Sequence, residues 1–304
     1  VVISEVTRRL VGDLFEYVDL GLHPVKGFDV PVPAWRVGDE LVVESRFEAF
    51  HSRARLSKLV GREREIESLM QLWGHATRYE GRAAVLIGEA GIGKSRLTVD
   101  LQEQLAQIPH RLLRYSCVRH YQDSSLFPII TYLERLAGFA GNDPPDVKLD
   151  KLEALLSNHF QDVAARAPLY AALLAIPTEA RYPPLNLGPR LQKERTFTAL
   201  MEQFVALAAE RPVLLVFEDL HWVDPTTLEL IDWIVKRIGN LPIFMLMTAR
   251  PSFQVPWTRD ECGAIRLDRL SDREATSLIA DVTSGKSLPR ELVVQLLDKA
   301  DGIP

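Results

Sequence analysis

The sequence predicts an α/β fold in which a mostly parallel β-sheet carries helices on both faces and a small helical lid follows it. Two observations support this prediction. Short continuous apolar runs, typical of buried strands, alternate along the 304 residues with segments of helical periodicity. A glycine-rich loop at residues 88–95 also joins one apolar run to one helical segment. A short α+β segment is predicted ahead of this fold, at residues 1–38.

The N-terminal segment is predicted to hold one helix and two strands. Residues 4–14 predict a helix that ends near Gly12, and residues 15–18 and 32–37 predict strands joined by a turn that contains Gly and Pro. Residues 39–57 are charged and lack periodicity, so we interpret them as a linker.

Five apolar runs provide the strands of the main sheet, and helices are predicted between them. The predicted strands are 83–87, 112–118, 213–217, 243–247 and 265–267. The helices predicted beside them are 65–73, 96–105 and 228–238. Strands that alternate with helices in this way form a parallel sheet. We therefore assign residues 58–268 to one α/β domain.

A long stretch separates the second strand from the third. It runs to roughly 95 residues, which is too long for an irregular loop, so it must contain its own helices. The apolar patterns favour helices at 129–136, 148–160 and 193–208. We describe this stretch as a helical insert at about 127–208.

The chain is predicted to be helical after Leu270. Ser271 and Glu274 form a capping box that opens a helix, and Gly302 is placed to end the last one. Residues 269–304 are therefore predicted to form a truncated helical lid.

The loop at residues 88–95 fits G-x-x-x-x-G-K-[ST], the phosphate-binding P-loop motif. Its glycines allow successive backbone N–H groups to point at one anion, and the following helix adds its positive N-terminal end. Lys94 would reach the β- and γ-phosphates of a nucleotide, and the Ser95 hydroxyl would hold Mg²⁺. The predicted nucleotide-binding residues here are Gly88, Glu89, Ala90, Gly91, Ile92, Gly93, Lys94, Ser95 and Arg96.

Two adjacent acidic residues follow the predicted strand at 213–217, as a P-loop site requires for its metal ion. An acid at the tip of this strand can hold Mg²⁺, and the next acid can polarise the attacking water as a general base. By position we assign Glu218 to the metal and Asp219 to the water. Because Glu218 is longer than the aspartate usual at its place, the two roles could be exchanged.

The predicted strand at 243–247 is followed by Thr248 and, two residues later, by Arg250. An arginine at the tip of this strand would lie beside the γ-phosphate, where it can sense the phosphate or stabilise developing charge. The alternative is a surface arginine paired with a nearby acid. For His221 and Trp222, which follow the two acids, packing under the site is the interpretation we favour.

The composition is that of an ordinary globular protein, and it argues against several classes of function. Charged residues make up 25% and hydrophobic residues 47% of the chain, and a net charge of −5 gives no general attraction to nucleic acid or to anionic membranes. Two cysteines are too few for a disulfide framework or a zinc site. No uncharged apolar run is long enough to span a membrane. We therefore expect a cytoplasmic protein without a membrane or a direct nucleic-acid partner.

Besides the P-loop, four motifs resemble those of the signal-transduction ATPases related to AAA proteins, the STAND group, which occur in large bacterial regulators. They lie at residues 59–63, 213–231, 248–251 and 302–304. The resemblance implies ATP as the ligand and Mg²⁺ as its cofactor. It also implies that Val60, Gly61 and Arg62 lie along the adenine and that Pro304 packs near the base.

The N-terminal segment resembles the closing part of class III adenylate/guanylate cyclase domains. The similar runs are at 2–10, 15–21, 25–28 and 32–37. The resemblance implies a bacterial parent protein in which a cyclase, the ATPase and a helical-repeat region follow one another. The metal-binding aspartates and the Asn and Arg transition-state residues of that family would lie upstream, so we expect no cyclase activity from this chain. We expect a longer parent chain on both sides, since Val1 is not Met and the end at Pro304 does not resemble a finished terminus.

We interpret the chain as an ATP-binding and slowly hydrolysing switch module of a cyclase-type signalling protein. The catalytic candidates are Lys94, Glu218, Asp219 and Arg250, and the Mg²⁺ candidates are Ser95 and Glu218. The expected partners are ATP, the adjoining cyclase and helical-repeat domains and, if the chain forms a homo-oligomer, further copies of itself. Two alternatives stay open: a non-hydrolysing, nucleotide-dependent scaffold whose working surface is the insert, and the ATPase module of a transcription regulator.

Overall fold

The computed structural model describes residues 1–12, 15–28, 30–40, 59–179, 181–283 and 288–304. The chain divides into two compact units by its internal contacts. One unit comprises residues 1–58 with 281–285, and the other comprises residues 59–280 with 286–304.

The first unit contains a three-stranded antiparallel sheet and one helix. Its elements are β1 (Val2–Ser4), α1 (Glu5–Val11), β2 (Phe15–His23) and β3 (Val32–Glu40). β3 lies between the other two strands and pairs with both. The Ser4 hydroxyl caps α1 by accepting the Thr7 N–H at 3.3 Å, and Gly12 ends the helix with φ +68°. The helix and the two longer strands are as predicted, whereas the three residues of β1 are too few to show a period.

The described side chains of residues 1–38 include none that is buried. The exposed large apolar residues of this first unit include Val2, Val6, Leu10, Leu22 and Phe28. This sheet is therefore held by strand pairing rather than by a core of its own among those residues. Of the predicted linker at 39–57, residues 39 and 40 end β3, and residues 41–57 lie outside the described residues.

The second unit is built on a five-stranded parallel sheet. Its strands are β4 (Arg82–Ile87), β5 (Arg111–Ser116), β6 (Val213–Glu218), β7 (Ile243–Ala249) and β8 (Gly263–Arg266). They lie in the order β5-β6-β7-β4-β8, and every neighbouring pair is parallel. The predicted parallel α/β sheet is confirmed. Because β7 lies between β4 and β6, the ends of these three strands meet at one edge of the sheet.

Helices cover both faces of this sheet. Those that contribute to the two core layers are α2 (Glu63–Ala76), α3 (Lys94–Leu105), α4 (Phe127–Leu136), α5 (Pro145–Ser157), α6 (Ala167–Leu173), α7 (Pro189–Glu210) and α8 (Pro225–Val235). Two further helices, α9 (Asp272–Val282) and α10 (Arg290–Ala300), follow β8. The sequence did not predict α6, because its first five residues are all buried and show no alternation of apolar and polar faces. Within the described ranges, no helix is long and apolar enough to cross a bilayer.

The core consists of two layers, one on each face of the sheet. On one face, Ala84, Leu86 and Phe244 pack with Leu69 of α2 and Leu97 of α3. On the other face, the alternate strand residues pack with the helices of the insert and with α8. The strands are buried on both faces, which is why they appear in the sequence as continuous apolar runs.

Candidate functional site

The glycine-rich loop at residues 88–95 joins β4 to α3 at the edge where the parallel strands end. Gly91 (φ +79°) and Gly93 (φ +103°) adopt the left-handed region, which residues with a side chain rarely enter. Gly93 directly precedes α3, so the unpaired N–H groups of the first helical turn begin at the loop. At Gly88, a Cβ atom would lie 2.6 Å from the Ile92 side chain. The loop therefore has the backbone shape of an anion-binding site.

Lys94 is the first residue of α3 and is buried. Its Nζ donates hydrogen bonds to the carbonyl oxygens of Gly88 and Glu89, both at 2.8 Å. Burial lowers the pKa of Lys94, the negative charge of Asp219 opposes that shift, and the positive charge of Arg250 adds to it. The three charged groups therefore lie close enough to act on one another. A phosphate group would be a stronger partner for the ammonium than the two neutral carbonyls are.

The two acids at the end of β6 differ in exposure and in partners. Glu218 is buried, and its Oε2 accepts a hydrogen bond from the Ser116 hydroxyl at 3.4 Å. Asp219 has φ +60°, and its N–H donates to the Thr248 hydroxyl at 2.9 Å. The Asp219 side chain is 38% exposed, so a ligand can reach it more easily than it can reach Glu218. This difference is compatible with the predicted role of Asp219 towards water.

Arg250 follows β7, the strand between the loop and the acids. Its guanidinium carbon lies 5.1 Å from the centroid of the Trp222 ring, within the range of a cation–π contact. Thr248, two residues earlier, is buried. The structure thus places Arg250 at the same edge as Lys94 and Asp219, as the sequence predicted.

His221 lies near the charged side chains of Lys94, Asp219 and Arg250. Its side chain is 7% exposed, its Nδ1 is 3.9 Å from Asp219 Oδ1, and its ring packs on Trp222 with centroids 4.3 Å apart. Burial, followed by the positive charges of Arg250 and Lys94, lowers the pKa of His221 to about 4. The sequence analysis favoured packing for His221 and Trp222, and the structure adds that the imidazole lies close to Asp219, with a lowered pKa that favours its neutral form.

The residues predicted to hold Mg²⁺ are Ser95 and Glu218. In the part of the chain that the structure describes, no group of three or more His, Cys, Asp and Glu could hold a metal ion by itself. Mg²⁺ is commonly bound by one or two carboxylates together with substrate phosphates and waters. A hydroxyl and one carboxylate therefore fit Mg²⁺ that arrives with a nucleotide, and their metal role stays a prediction.

On the opposite side of the loop, Arg62 connects three segments. Its Nη2 donates to the carbonyl oxygens of Ile92 at 3.3 Å and Asp268 at 2.6 Å, and the side chain is buried. Gly61 (φ +68°) lies against α9, since a Cβ atom there would be 2.6 Å from Glu274 Oε1. The predicted nucleotide-binding motif at Gly61 and Arg62 is thus in contact with both the loop and the lid.

Arg269, just after β8, bridges the loop and the end of the lid. Its Nη2 donates to Glu89 Oε2 at 3.0 Å, and its Nη1 donates to the Asp301 carboxylate. Gly302 has φ +72°, and its carbonyl accepts the Leu270 N–H at 2.8 Å. A Cβ atom on Gly302 would lie 2.7 Å from the Leu270 oxygen, so this position needs glycine for both reasons.

Ile303 is a second lid residue that lies against the loop. A Cβ atom on Gly91 would lie 3.1 Å from the Ile303 side chain, and Ile303 packs partly buried against the core. The neighbouring Pro304 is exposed. The contact with the base that the resemblance implies for Pro304 stays a prediction, as does the adenine contact of Val60.

Arg96, which was predicted to bind the nucleotide, lies next to acids of its own helix. Its Nη2 is 3.8 Å from Asp100 and its Nη1 is 3.5 Å from Glu103. Both partners follow Arg96 along α3, which leads away from the loop. The contact with the nucleotide that the sequence predicts for Arg96 stays a prediction.

Sequence reasoning gave no site role to Ser116, Thr248, Arg269 or Ile303. Thr248 could have been predicted as a site residue from the sequence, because it lies at the end of a continuous apolar strand, two residues before Arg250. Arg269 carries no local signal, and the motif at 302–304 did not single out Ile303, since the partners of both residues in the loop lie far away in the sequence.

Comparison with known proteins shows that the chain is similar to a segment of a longer protein. It is 30% identical over 260 residues to an uncharacterised protein of Rhizobium meliloti (strain 1021), a match that covers 84% of this chain and 24% of that protein. The chain therefore spans about a quarter of the length of this relative.

Solved structures with a similar fold include a STAND protein with a tetratricopeptide repeat sensor from Pyrococcus horikoshii. That match has a TM-score of 0.45 at 16% identity and covers 82% of this chain and 29% of that one. The ORC1 protein of Aeropyrum pernix, solved in complex with DNA, matches with a TM-score of 0.45 at 11% identity, over 80% of this chain and 56% of that one. The sequence profile of the AAA ATPase domain matches residues 58–246, and the chain belongs to this family.

Proposed function

We propose that residues 59–304 bind ATP with Mg²⁺, hydrolyse it slowly and act as a nucleotide-controlled switch. The observation that carries this proposal is that Lys94, Asp219 and Arg250 follow three neighbouring parallel strands at one edge of the sheet, beside a loop shaped for an anion. Membership of the AAA ATPase domain family supports ATP as the nucleotide.

Each of these side chains has a distinct task in the proposed reaction. Lys94 leaves the carbonyls of Gly88 and Glu89 and binds the β- and γ-phosphates. Asp219 orients the attacking water and accepts its proton, and Arg250 stabilises the negative charge that develops on the transferred phosphoryl group.

Mg²⁺ would be held by the Ser95 hydroxyl and Glu218. When bound, it neutralises charge on the phosphate oxygens. The buried Glu218, bonded to Ser116, is fixed in place before any ligand arrives.

The lid gives the proposed switch its moving part. Ile303 touches Gly91, and Arg269 binds Glu89, so two loop residues are in contact with lid residues. A nucleotide that enters the loop must displace or rearrange these contacts. We infer that ATP and ADP hold the lid in different positions and that this difference is passed to the domains that adjoin it.

The proposed setting is a cyclase-type signalling protein. Residues 1–38 resemble the end of a cyclase domain, and their apolar side chains, including Val6, Leu10 and Phe28, are exposed. We propose that the parent protein supplies the cyclase ahead of this sheet and a helical-repeat region after the lid. The parent would act in the cytoplasm, and the chain itself would have no cyclase activity.

A non-hydrolysing scaffold is the main alternative. It keeps nucleotide binding but gives the insert, rather than hydrolysis, the working role. The place of Asp219 after β6, at the same edge of the sheet as Lys94, favours hydrolysis over this alternative. A transcription-regulator ATPase is less favoured by the net charge of −5, and salt-sensitive binding of duplex DNA would support it.

Steady-state phosphate release from Mg-ATP, compared with the Asp219→Asn variant, tests the proposal. The amide keeps the shape of the side chain but is a far weaker base, so turnover should fall by about 10²- to 10⁴-fold. Affinity for Mg-ATP should stay within about threefold, because the phosphates are held by the loop and by Lys94. Asp232→Asn, an exposed aspartate on α8 that pairs with Lys236, is the matched control and should leave turnover unchanged.

Equal turnover in the wild type and Asp219→Asn would contradict the assigned chemistry. Tight binding of Mg-ATP with no phosphate release from the wild type would favour the scaffold instead.

A further inference from the structure

Asp224 is a buried carboxylate that joins the nucleotide site to the helical insert. It is 2% exposed and caps the N-terminus of α8, where its Oδ1 accepts the Thr227 N–H at 2.9 Å. The same Oδ1 accepts the N–H of Leu126 at 3.3 Å, and Oδ2 accepts the Thr227 hydroxyl. One side chain thus holds α8 and a residue 98 positions earlier in the chain.

Leu126 is the residue from which the insert begins. It precedes α4, and its carbonyl accepts the N–H groups of Ile129 and Ile130. It is buried and has φ +59°, a conformation that a leucine adopts only when its surroundings hold it there. The bond from Asp224 to its N–H is one such restraint. Loss of that bond would release the start of α4.

A short connection leads from Asp219, the proposed general base, to Asp224. Between Asp219 and Asp224 the chain forms a 3₁₀ turn at Leu220–Trp222, and Leu220 is fully buried. The Trp222 N–H donates to the Asp219 oxygen at 2.8 Å, and the Val223 N–H donates to the Leu220 oxygen at 3.0 Å. Because Leu220 is buried and two backbone bonds hold the turn, a backbone shift at Asp219 can be passed to Asp224.

Two weaker contacts run beside this path at the surface. Gln122 Nε2 lies 3.4 Å from the His221 oxygen, and the hydroxyls of Ser125 and Thr226 are 3.2 Å apart. Both lie in the same two segments that Asp224 connects. Because they are exposed, they provide matched controls for the buried contact.

We propose that the Asp224–Leu126 contact couples the nucleotide state of the site to the helical insert, so that the insert is the surface that reports whether a γ-phosphate is bound. This proposal rests on the proposed ATP site. In the present structure Lys94 is bound to the loop carbonyls and Asp219 lies 3.9 Å from His221. A γ-phosphate beside Lys94 and Arg250 places a new negative charge next to Asp219, and the turn that carries Asp219 must adjust.

Hydrogen–deuterium exchange of the whole chain, with and without saturating Mg²⁺ and the non-hydrolysable analogue AMP-PNP, tests the coupling. With AMP-PNP we expect the rate of amide exchange to change by about threefold or more in three regions: residues 88–97, residues 218–224 and α4 (Phe127–Leu136). The response of α4 is the decisive one, because α4 holds none of the predicted phosphate ligands. ADP should change exchange in the loop but not in α4. Binding with no change in α4 would overturn the coupling and leave the proposed function standing. No binding of either nucleotide would instead overturn the proposed function.

Two variants of Asp224 sharpen the test. In Asp224→Ser the shorter hydroxyl can still cap α8 but cannot reach Leu126, so AMP-PNP affinity should stay within about threefold while the response of α4 is lost. In Asp224→Asn the amide oxygen can keep both backbone bonds, so the response of α4 should persist. Gln122→Ala and Ser125→Ala should also retain it.

A response of α4 that survives in a folded Asp224→Ser variant would contradict the proposal. Circular dichroism establishes whether that variant is folded. If it is not, the wild-type comparison of AMP-PNP with ADP and the retained response in Asp224→Asn still decide the question.

Discussion

The two sides of the phosphate loop are built differently. On the lid side, Arg62 and Arg269 make direct hydrogen bonds of 2.6 to 3.3 Å to backbone oxygens and to Glu89. On the hydrolysis side, His221 and Asp219 are 3.9 Å apart, and the guanidinium of Arg250 rests over Trp222. The lid side is joined to the loop by direct hydrogen bonds, whereas the two contacts just described on the hydrolysis side are a 3.9 Å approach and a cation–π contact.

This difference separates the tasks of the two sides. Catalytic contacts are often long in unliganded sites and shorten when the substrate binds. The lid contacts, in contrast, are already at hydrogen-bond distance, and in the proposed switch the nucleotide rearranges them. Variants of Asp219 and Arg250 on the hydrolysis side should therefore change turnover more than affinity, and variants on the lid side should change affinity or stability more than the chemical step.

The largest effect in this comparison is expected for Arg250→Ala. Without its guanidinium, the charge that develops on the phosphoryl group is less stabilised, and turnover should fall by about 10²- to 10³-fold while Mg-ATP affinity changes by less than about fivefold. Steady-state phosphate release and calorimetry measure the two quantities. Arg190→Ala, an exposed arginine paired with Glu194 on α7, is the control. A loss of affinity equal to the loss of turnover would mean that Arg250 binds ATP in the ground state rather than stabilising the transition state.

Gly302→Ala tests the lid side. The substitution places a Cβ at φ +72° and 2.7 Å from the Leu270 oxygen, so the end of the lid should be destabilised by about 2–3 kcal/mol. Hydrogen exchange of the Leu270 amide, which donates to Gly302, should become faster. Gly141→Ala is the control, because a Cβ there meets no atom within 4 Å. Unchanged exchange at Leu270 would mean that the lid end is not held by this contact.

The buried imidazole of His221 predicts a pH dependence in the protein without nucleotide. Its folded-state pKa of about 4 lies below its ordinary value of 6.5, so below that ordinary value the unfolded chain binds a proton that the folded chain does not. Stability should therefore fall as pH drops from about 6.5 to 4, by about 1–2 kcal/mol after allowing for solvent screening. Urea unfolding across this range should show a smaller fall in His221→Gln than in the wild type. His120→Gln, at an exposed histidine, should reproduce the wild-type fall; an equal fall in His221→Gln would contradict the assignment.

The smallest effect is expected for Arg269→Ala. Its pairs with Glu89 and Asp301 are exposed and hence screened by solvent, so Mg-ATP affinity at physiological salt should change by less than about threefold. The difference should grow at low ionic strength. Calorimetry at two salt concentrations measures it. A change of tenfold or more would mean that Arg269 itself contacts the bound nucleotide.

Sequence patterns predicted the site residues of the hydrolysis side more completely than those of the lid side, and the reason is physical. Lys94, Asp219 and Arg250 each follow a buried apolar strand or lie in a glycine-rich motif, and parallel strands bring their ends to one edge. The fold alone therefore brings these residues together. The same argument predicted the five strands of the sheet.

The lid contacts depend on side-chain packing between distant segments, which a single sequence does not show. Ile303 contacts Gly91, and Arg62 reaches Asp268 across 206 positions. The helix α6 was missed for a related reason, since its buried face extends around the helix. Arg96 was named as a binding residue because of its place in the sequence, and that role stays a prediction.

Binding of Mg-ATP to the wild type and to Lys94→Ala, measured by calorimetry, tests the central claim most directly. Lys94 now donates to two carbonyls of the loop, and the claim is that the phosphates take their place. Affinity should fall by about 100-fold or more in Lys94→Ala, a loss of about 2.7 kcal/mol. It should be unchanged in Lys236→Ala, an exposed lysine that pairs with Asp232. A Lys94→Ala protein that binds Mg-ATP as tightly as the wild type would contradict the assignment of residues 88–95 as the nucleotide site.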